Sequence, residues 1–111
     1  MQKTIALKEN EERAIAKLKE VLTRKFNIVE MRLFGSKARG ESTPESDLDV
    51  MIKIVEHDPD IISQIYDIIF DINLENDTFI STTIFSNKEI ENGPMKESPI
   101  YKIIYKDGIS I

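Results

Sequence analysis

The chain has 111 residues, of which 41% are hydrophobic and 32% charged, and its formal net charge at pH 7 is −5. This length supports one hydrophobic core, so we expect a single domain over residues 1–111 in a water-soluble globular protein. The excess of acidic residues argues against a nucleic-acid polymer as the main partner, because a phosphate backbone is bound chiefly by Lys and Arg.

Cysteine content and hydropathy exclude two further classes. No cysteine is present, so neither disulfides nor thiolate chemistry is available. The first residues lack the apolar core of a signal peptide, and no apolar run has the length of a membrane-spanning helix. We therefore expect a cytoplasmic protein with no membrane partner.

The first half of the chain is predicted to contain one helix and two strands. Apolar residues at helical spacing indicate a helix that is capped by Asn10 and ends near Phe26. A first strand is predicted over residues 28–34, and a second, after a polar loop at residues 41–45, over residues 48–55. The loop is too short for a helical crossover, so these strands should be antiparallel neighbours.

The second half begins with the clearest helix signal. Asp58 is predicted as an N-cap and Pro59 as the first helical residue, and the isoleucine stripe that follows should pack on the sheet. A third strand is predicted over residues 77–85, because β-branched and aromatic residues are enriched there.

The chain then breaks at residues 92–94, and a last helix is predicted from a Ser98 cap to about Lys106. Gly108 suits the position after that helix, and residues 109–111 form either a short edge strand or a tail. The predicted fold class is therefore α/β (α+β), a small mixed sheet with helices packed on it.

One segment carries most of the chemical information. Gly35 and Ser36 follow the first predicted strand, and a turn of this kind can present backbone N–H groups to a polyphosphate. Asp47 and Asp49 stand at the start of the second strand, where side chains two residues apart leave the same face. Two carboxylates without a nearby Cys or His favour Mg²⁺ or Mn²⁺ over Zn²⁺.

The segments Gly-Ser-Lys-Ala-Arg-Gly-Glu at residues 35–41 and Ser-Asp-Leu-Asp-Val at residues 46–50 resemble the signature of the DNA polymerase beta superfamily of nucleotidyltransferases. More narrowly, the chain resembles the minimal nucleotidyltransferases of prokaryotes. The resemblance implies a palm-like sheet with a metal site on one rim. It also implies an enzyme in which Asp47 and Asp49 are catalytic and bind the metal, while Gly35, Ser36 and Arg39 bind the nucleotide.

That family implies an activity and a partner. The expected reaction is Mg²⁺-dependent (or Mn²⁺-dependent) transfer of NMP, with ATP as the donor, to a hydroxyl acceptor. Minimal nucleotidyltransferases are commonly antitoxins paired with a HEPN-domain ribonuclease, so the resemblance implies a protein partner of HEPN type. An aminoglycoside-type transferase ranks lower, because the chain has no second lobe to enclose a sugar.

One departure from the family pattern supports an alternative. Active members usually carry a third carboxylate on a following strand. Alignment of the third predicted strand with that pattern places this carboxylate within residues 81–84. No acid occurs there, and Thr83 is the nearest equivalent. Asp77 comes too early unless a bulge shifts the register. The alternative is a catalytically weak or inactive protein of this fold that neutralises its partner by binding alone.

Several residues have ordinary structural interpretations. Lys37 is interpreted as a solvated charge, and His57, the only histidine, as a surface or structural residue. Arg39 binds phosphate or pairs with a nearby acid such as Glu41. Tyr101 and Tyr105 are interpreted as packing residues of the last helix.

Overall fold

The computed structural model describes residues 7–40 and 47–111. Helices and strands follow one another in mixed order, and a short 3₁₀ helix spans Pro94–Glu97. The elements are α1 (Glu9–Lys25), β1 (Ile28–Phe34), α2 (Gly35–Arg39), β2 (Leu48–Ile54), α3 (Pro59–Asn76), β3 (Ile80–Ser86), α4 (Asn87–Asn92), α5 (Pro99–Asp107) and β4 (Ile109–Ser110). Within the described ranges, no helix is both long and apolar enough to cross a bilayer.

The four strands form one mixed sheet in the order β3-β2-β1-β4. β1 pairs with β2 and with β4 in antiparallel fashion, whereas β2 and β3 are parallel. The predicted antiparallel pairing of the first two strands is confirmed, and the residues after the last helix form the short edge strand β4. The predicted α+β class, a small mixed sheet with packed helices, is likewise confirmed.

Each face of the sheet is covered by helices, and the strand alternation decides which residues each face buries. Even-numbered β2 residues from Leu48 to Ile54 join α1 and α3 in the main core. Met51, on the opposite face, joins Phe85 and Ile104 in a second cluster beneath α4 and α5. Asp47 and Asp49 have the parity of Met51, so they belong to the face that α5 covers.

Helix α3 agrees with its sequence signals. The Asp58 side chain accepts hydrogen bonds from the backbone N–H groups of Asp60 and Ile61, and Pro59 is the first helical residue. The helix ends where Asp77 adopts a left-handed conformation with φ 55°. The third strand therefore begins at Ile80, three residues later than the sequence predicted.

One cap assignment is wrong, and a second is confirmed in position but not in its hydrogen bond. Asn10 lies inside α1, and its side chain donates to the backbone carbonyls of Asn76 (2.9 Å) and Asp77 (3.1 Å), which ties α1 to the end of α3. Lys8 is the N-cap instead, and its backbone N–H donates to Glu11 Oε1 at 2.9 Å. Ser98 does occupy the cap position of α5, but its side chain makes no capping hydrogen bond.

Three helical segments were not predicted. α2 occupies the predicted Gly35-Ser36 turn, while α4 and the 3₁₀ helix fill most of the interval between β3 and α5. α4 begins with a reciprocal capping box in which the side chains of Ser86 and Glu89 bond each other's backbone N–H groups. The predicted polar loop at residues 41–45 lies outside the described residues.

Candidate active site

Gly35 is the residue around which the site is built. Its φ is +76°, a left-handed conformation that glycine adopts without steric cost. A Cβ at this position would lie 3.1 Å from Cγ of Asp49 and closer still to Oδ2 of the same side chain. The Asp49 carboxylate therefore packs directly on the bare Cα of Gly35, which no other residue type would permit.

The register of β1 and β2 explains this contact. Phe34, the last residue of β1, is the antiparallel partner of Asp49, so the chain turns into α2 immediately beside that carboxylate. Asp47, exposed and just before β2, has the same side-chain parity as Asp49. The sequence prediction that both carboxylates share one face agrees with this register.

The electrostatics of Asp49 show which charges surround it. Burial raises the pKa of Asp49 above its ordinary value, and the negative charge of Asp47 raises it further, while the Arg39 guanidinium lowers it. The two carboxylates are therefore close enough to repel each other. Arg39, exposed on the last turn of α2, is near enough to offset part of that repulsion.

Two buried side chains hold helix α2 against the rest of the protein. Ala38 packs in the main core, and Lys37, 2% exposed, forms a salt bridge of 3.2 Å with Oε2 of Glu11 on α1. The interpretation of Lys37 as a solvated charge is thus wrong, because its ammonium group neutralises a buried acid. Ser36 and Arg39 remain on the more accessible side of the helix.

The neighbouring strand offers hydroxyl groups rather than a third acid. Ser81 is the parallel partner of Asp49, and Thr83, one step further along the same face, is the partner of Met51. The β2–β3 register is regular from Leu48 to Ile54, so no bulge brings Asp77 to the carboxylates. Ser81, which the sequence analysis did not single out, is therefore the residue directly beside Asp49.

The described residues agree with a two-carboxylate site. Across residues 7–40 and 47–111, no three His, Cys, Asp or Glu side chains come together as a potential metal site. Asp47 and Asp49 nevertheless suit a divalent cation, because the positive charge of the cation would offset the repulsion between the two carboxylates. Mg²⁺ commonly takes one or two protein carboxylates and completes its shell with phosphate oxygens and water. Ser46 and Glu41 lie outside the described part.

A second charged cluster on the same sheet face was missed by sequence reasoning. Lys53 Nζ donates to the hydroxyls of Tyr105 (2.8 Å) and Tyr101 (3.1 Å) and lies 3.5 Å from Glu30 Oε1. The Tyr105 hydroxyl in turn donates to Glu30, whose other oxygen accepts from Arg32 at 3.0 Å. The tyrosines pack as predicted, but they also connect α5 to β1 and β2. The sequence did contain a signal for this cluster, because charged residues occur at alternate positions within the predicted strands β1 and β2.

The members of this cluster shift one another's pKa, although the buried Nε of Arg32 has no hydrogen-bond partner among the described residues. Burial alone would raise the pKa of Glu30, but hydrogen bonds from Tyr105 and Arg32 and the charge of Lys53 lower it overall. Burial would lower the pKa of Lys53, yet its bonds to the two tyrosines raise it. Burial and the bond to Glu30 raise the pKa of Tyr105 to about 12. The cluster thus fastens α5, which contacts α2, to the sheet face that carries the site.

His57 has a structural surrounding rather than a catalytic one. It lines a pocket of about 280 Å³ with Phe26, Val55 and Ile61 at the far end of β2 from Asp49. His57 itself is exposed, as the sequence interpretation expected.

Known proteins share the sequence pattern and the fold of this chain. A protein of Methanocaldococcus jannaschii named putative protein adenylyltransferase MJ1379 is 33% identical over 91 residues, which cover 82% of this chain and 89% of that protein. A crystal structure of a putative nucleotidyltransferase from Sulfolobus solfataricus shares the fold, with a TM-score of 0.50 at 20% identity over 95% of this chain and 87% of the other.

The family model of the nucleotidyltransferase domain matches residues 15–108, an interval that contains the Gly35 turn, the Asp47 and Asp49 pair and strands β1 to β3. The match covers most of the chain, and the M. jannaschii relative extends over a similar share. The chain therefore belongs to the nucleotidyltransferase domain family and is a nucleotidyltransferase.

Proposed function

We propose that this enzyme transfers AMP from ATP to a hydroxyl group on a partner protein, with Asp47 and Asp49 holding Mg²⁺ or Mn²⁺. The observation that carries the proposal is the packing of Asp49 on Gly35 beside a second, repelling carboxylate. Such an arrangement costs stability unless a cation and a phosphate occupy it. The choice of AMP and of a protein acceptor is supported by the name of the M. jannaschii relative.

The residues of this site would act mainly by position and charge, which is how proteins catalyse phosphoryl and nucleotidyl transfer. Gly35 N–H and the Ser36 hydroxyl would hold the β- and γ-phosphates, and Arg39 would add positive charge next to them. A divalent cation, when bound, would polarise the α-phosphate and stabilise the departing pyrophosphate. Residues 1–111 would act as one nucleotidyltransferase unit.

We also propose that the acceptor is a HEPN-type ribonuclease and that this chain is its antitoxin, acting in the cytoplasm. The family resemblance supports this role, and a HEPN reading frame beside the coding region would support it further. The net charge of −5 supports a protein rather than a nucleic-acid polymer as the main partner.

Calorimetric titration with a non-hydrolysable ATP analogue, with and without Mg²⁺, tests the nucleotide site. We expect Mg²⁺-dependent binding that is lost in the Asp47→Asn, Asp49→Asn double variant. The Asp60→Asn, Asp71→Asn double variant is the matched control, because it removes the same charge from exposed positions on α3. Absence of binding by the unmodified chain would contradict the proposal.

Labelling identifies the group transferred. With the purified HEPN protein as acceptor, ATP labelled at the α-phosphate should label the acceptor, whereas ATP labelled at the γ-phosphate should not. Equal labelling from both positions would indicate transfer of a triphosphate-containing group, and labelling from the γ-position alone would indicate a kinase. Either result would contradict AMP transfer.

A second candidate function is neutralisation of the partner by binding alone. Ser81 stands beside Asp49 where a third acid would be expected, and within the described residues no other acid takes that place. Asp47→Asn and Asp49→Asn separate the two functions. Loss of ribonuclease inhibition in these variants supports chemistry, whereas full inhibition without ATP supports stoichiometric binding.

A further inference from the structure

β3 and β4 are the two edge strands of the sheet, and no strand among the described residues pairs with the outer side of β3. β3 carries no charged residue and no proline, and its register with β2 has no bulge. Charges, prolines and bulges are the usual features that keep an edge strand from pairing with another chain. The opposite side differs, since β4 covers part of β1 there and β1 carries Glu30 and Arg32.

The hydrogen bonds of β3 identify which backbone groups are open. The Phe79 carbonyl accepts from Leu48 N–H, so odd-numbered residues of this segment face β2 and even-numbered residues face outward. The outward groups of Ile80 are covered, because its N–H donates to Asn73 Oδ1 (2.9 Å) and its carbonyl accepts from Asn73 Nδ2 (3.3 Å).

The other end of the strand is closed in a similar way, since the Ser86 N–H donates to the Glu89 side chain at 3.3 Å. Between these two ends lie the outward N–H and C=O groups of Thr82 and Ile84. No partner for these groups was found among residues 7–40 and 47–111. The open edge is therefore three residues long and is centred on Thr83.

An apolar flank of α3 borders this open edge. Tyr66, Phe70 and Leu74 are spaced four residues apart and are 49%, 63% and 69% exposed. Phe70 and Leu74 line a groove of about 350 Å³ together with Thr78 and Phe79, the residues that lead into β3. Among the described residues, nothing covers this helix flank or this strand edge, and the two lie on the same side.

We propose that a second copy of this chain docks on this side, with the two β3 strands pairing antiparallel about a two-fold axis at Thr83. In that register Thr82 faces Ile84 of the other copy, and their N–H and C=O groups exchange hydrogen bonds in both directions. All four open groups are then satisfied, because the open edge is complementary to itself. The sheet becomes eight-stranded, and the α3 flanks of the two copies meet.

This pairing has a functional consequence. A two-fold axis between antiparallel strands is perpendicular to the sheet, so both Asp49 carboxylates open on the same side of the dimer. With strands about 4.8 Å apart and about 3.3 Å per residue, the two sites lie roughly 20 Å from each other. The dimer would present two active sites to one acceptor assembly.

The charge of α3 gives the association a distinctive salt dependence. This helix contains four acidic residues and no basic one. Two copies in contact repel each other through those carboxylates, and salt screens the repulsion. We expect the dimer to tighten as NaCl rises from about 50 mM to about 500 mM. A basic segment of another protein on the same surface would show the opposite trend.

Sedimentation velocity of the full chain from about 5 to about 500 µM is the first test, and we expect a concentration-dependent dimer. Phe70→Gln should shift the monomer–dimer equilibrium at least tenfold toward monomer. Ile103→Gln is the control, because Ile103 is a similarly exposed apolar residue on α5. A chain that stays monomeric throughout this range leaves the surface to a different partner and overturns the proposal.

Cysteine cross-linking tests the register, and the absence of native cysteine makes it unambiguous. Thr83→Cys places two thiols opposite each other in a non-hydrogen-bonded pair, where Cα atoms lie about 4.5 Å apart and a disulfide can form. Ser81→Cys should not cross-link, because in this register residue 81 faces residue 85 of the other copy and lies four residues along the strand from the other residue 81. The Thr82 and Ile84 amides should also exchange more slowly as the dimer forms. Cross-linking of Ser81→Cys instead, or unprotected amides in a dimer, would overturn the geometry.

Discussion

Asp49 and Lys53 lie on the same face of β2, four residues apart, and their surroundings are opposite. Lys53 is nearly buried, and one carboxylate and two phenol hydroxyls surround its ammonium group. Asp49 is half-buried with a second carboxylate nearby, and that charge raises its pKa. Removing one partner of a buried and compensated charge is costly, whereas like charges held close together are a feature typical of functional sites.

Replacing the compensated charge should produce the largest loss of stability. Lys53→Met leaves Glu30 and two phenol hydroxyls with fewer partners in a largely buried place, so we expect the free energy of unfolding to fall by about 3 kcal/mol. Urea denaturation measures this change. Lys88→Met is the control, because its pair with Glu56 is exposed and should contribute less than about 0.5 kcal/mol. Equal effects for the two variants would contradict the contrast.

The two left-handed glycines at the start and just after the end of α2 allow the cost of the backbone conformation to be measured apart from the contact with Asp49. Gly35 and Gly40 have φ values of +76° and +74°, but a Cβ at Gly40 meets nothing within 4 Å. We expect Gly40→Ala to cost about 1 kcal/mol from the conformation alone. Gly35→Ala should cost about 2 kcal/mol, since the Asp49 carboxylate must also move.

The same two variants should also differ in their affinity for the nucleotide. Gly35→Ala should weaken Mg²⁺-dependent binding of the ATP analogue at least tenfold, while Gly40→Ala should leave it within about twofold. Calorimetry measures both. If Gly40→Ala weakened binding as strongly as Gly35→Ala, the close packing of Asp49 on Gly35 would not explain the role of this glycine.

The phenol that joins α5 to the sheet should show its role at alkaline pH. The pKa of Tyr105 is raised to about 12 from an ordinary value of 10.0, so the fold favours its protonated form. Its contribution to stability is complete below pH 10 and is lost as pH rises toward 12. Tyr105→Phe should cost about 1 kcal/mol at neutral pH and show a flatter decline above pH 10 in thermal melts. A parallel decline would show that other groups control alkaline unfolding.

The uncompensated carboxylate should give the smallest effect, with the opposite sign. Asp49→Asn removes one of two repelling charges, so we expect it to raise the free energy of unfolding by about 0.5 kcal/mol at pH 7 without ligand. Because the folded-state pKa of Asp49 is raised, protonation favours the native protein, and this difference should shrink as pH falls through that pKa toward 3.8. Urea denaturation of Asp49→Asn and of the unmodified chain from pH 7 downward measures the difference, and a difference that stayed constant would contradict the prediction.

Local signals predicted part of this molecule well. The Asp58 cap and Pro59 act on neighbouring backbone groups, so α3 begins where the sequence indicates. The motif at residues 35–50 could be recognised because its residues lie close together in sequence and because each residue type suits a role in binding phosphate or metal. The Ser86 and Glu89 capping box is equally local, and it was a signal by which α4 could have been found.

Contacts between distant segments explain the predictions that were wrong. Lys37 looks like a solvated charge in sequence, but its partner Glu11 lies 26 positions earlier and buries it. Asn10 resembles a cap until its contacts with residues 76 and 77 are known. Ser81 lies beside Asp49 because of the register between β2 and β3. The residue types of two strands do not determine their register to within one residue.

The connection between Arg32 and Gly108 bears on how the protein is made. Arg32 Nη2 donates to the Gly108 carbonyl at 2.8 Å across 76 positions of sequence, and β4 pairs with the same strand. During synthesis, β1 and β2 can pair early, but β1 receives these partners only after α5 has been made. Completion of the sheet should therefore be slow, because its final contacts close a long loop.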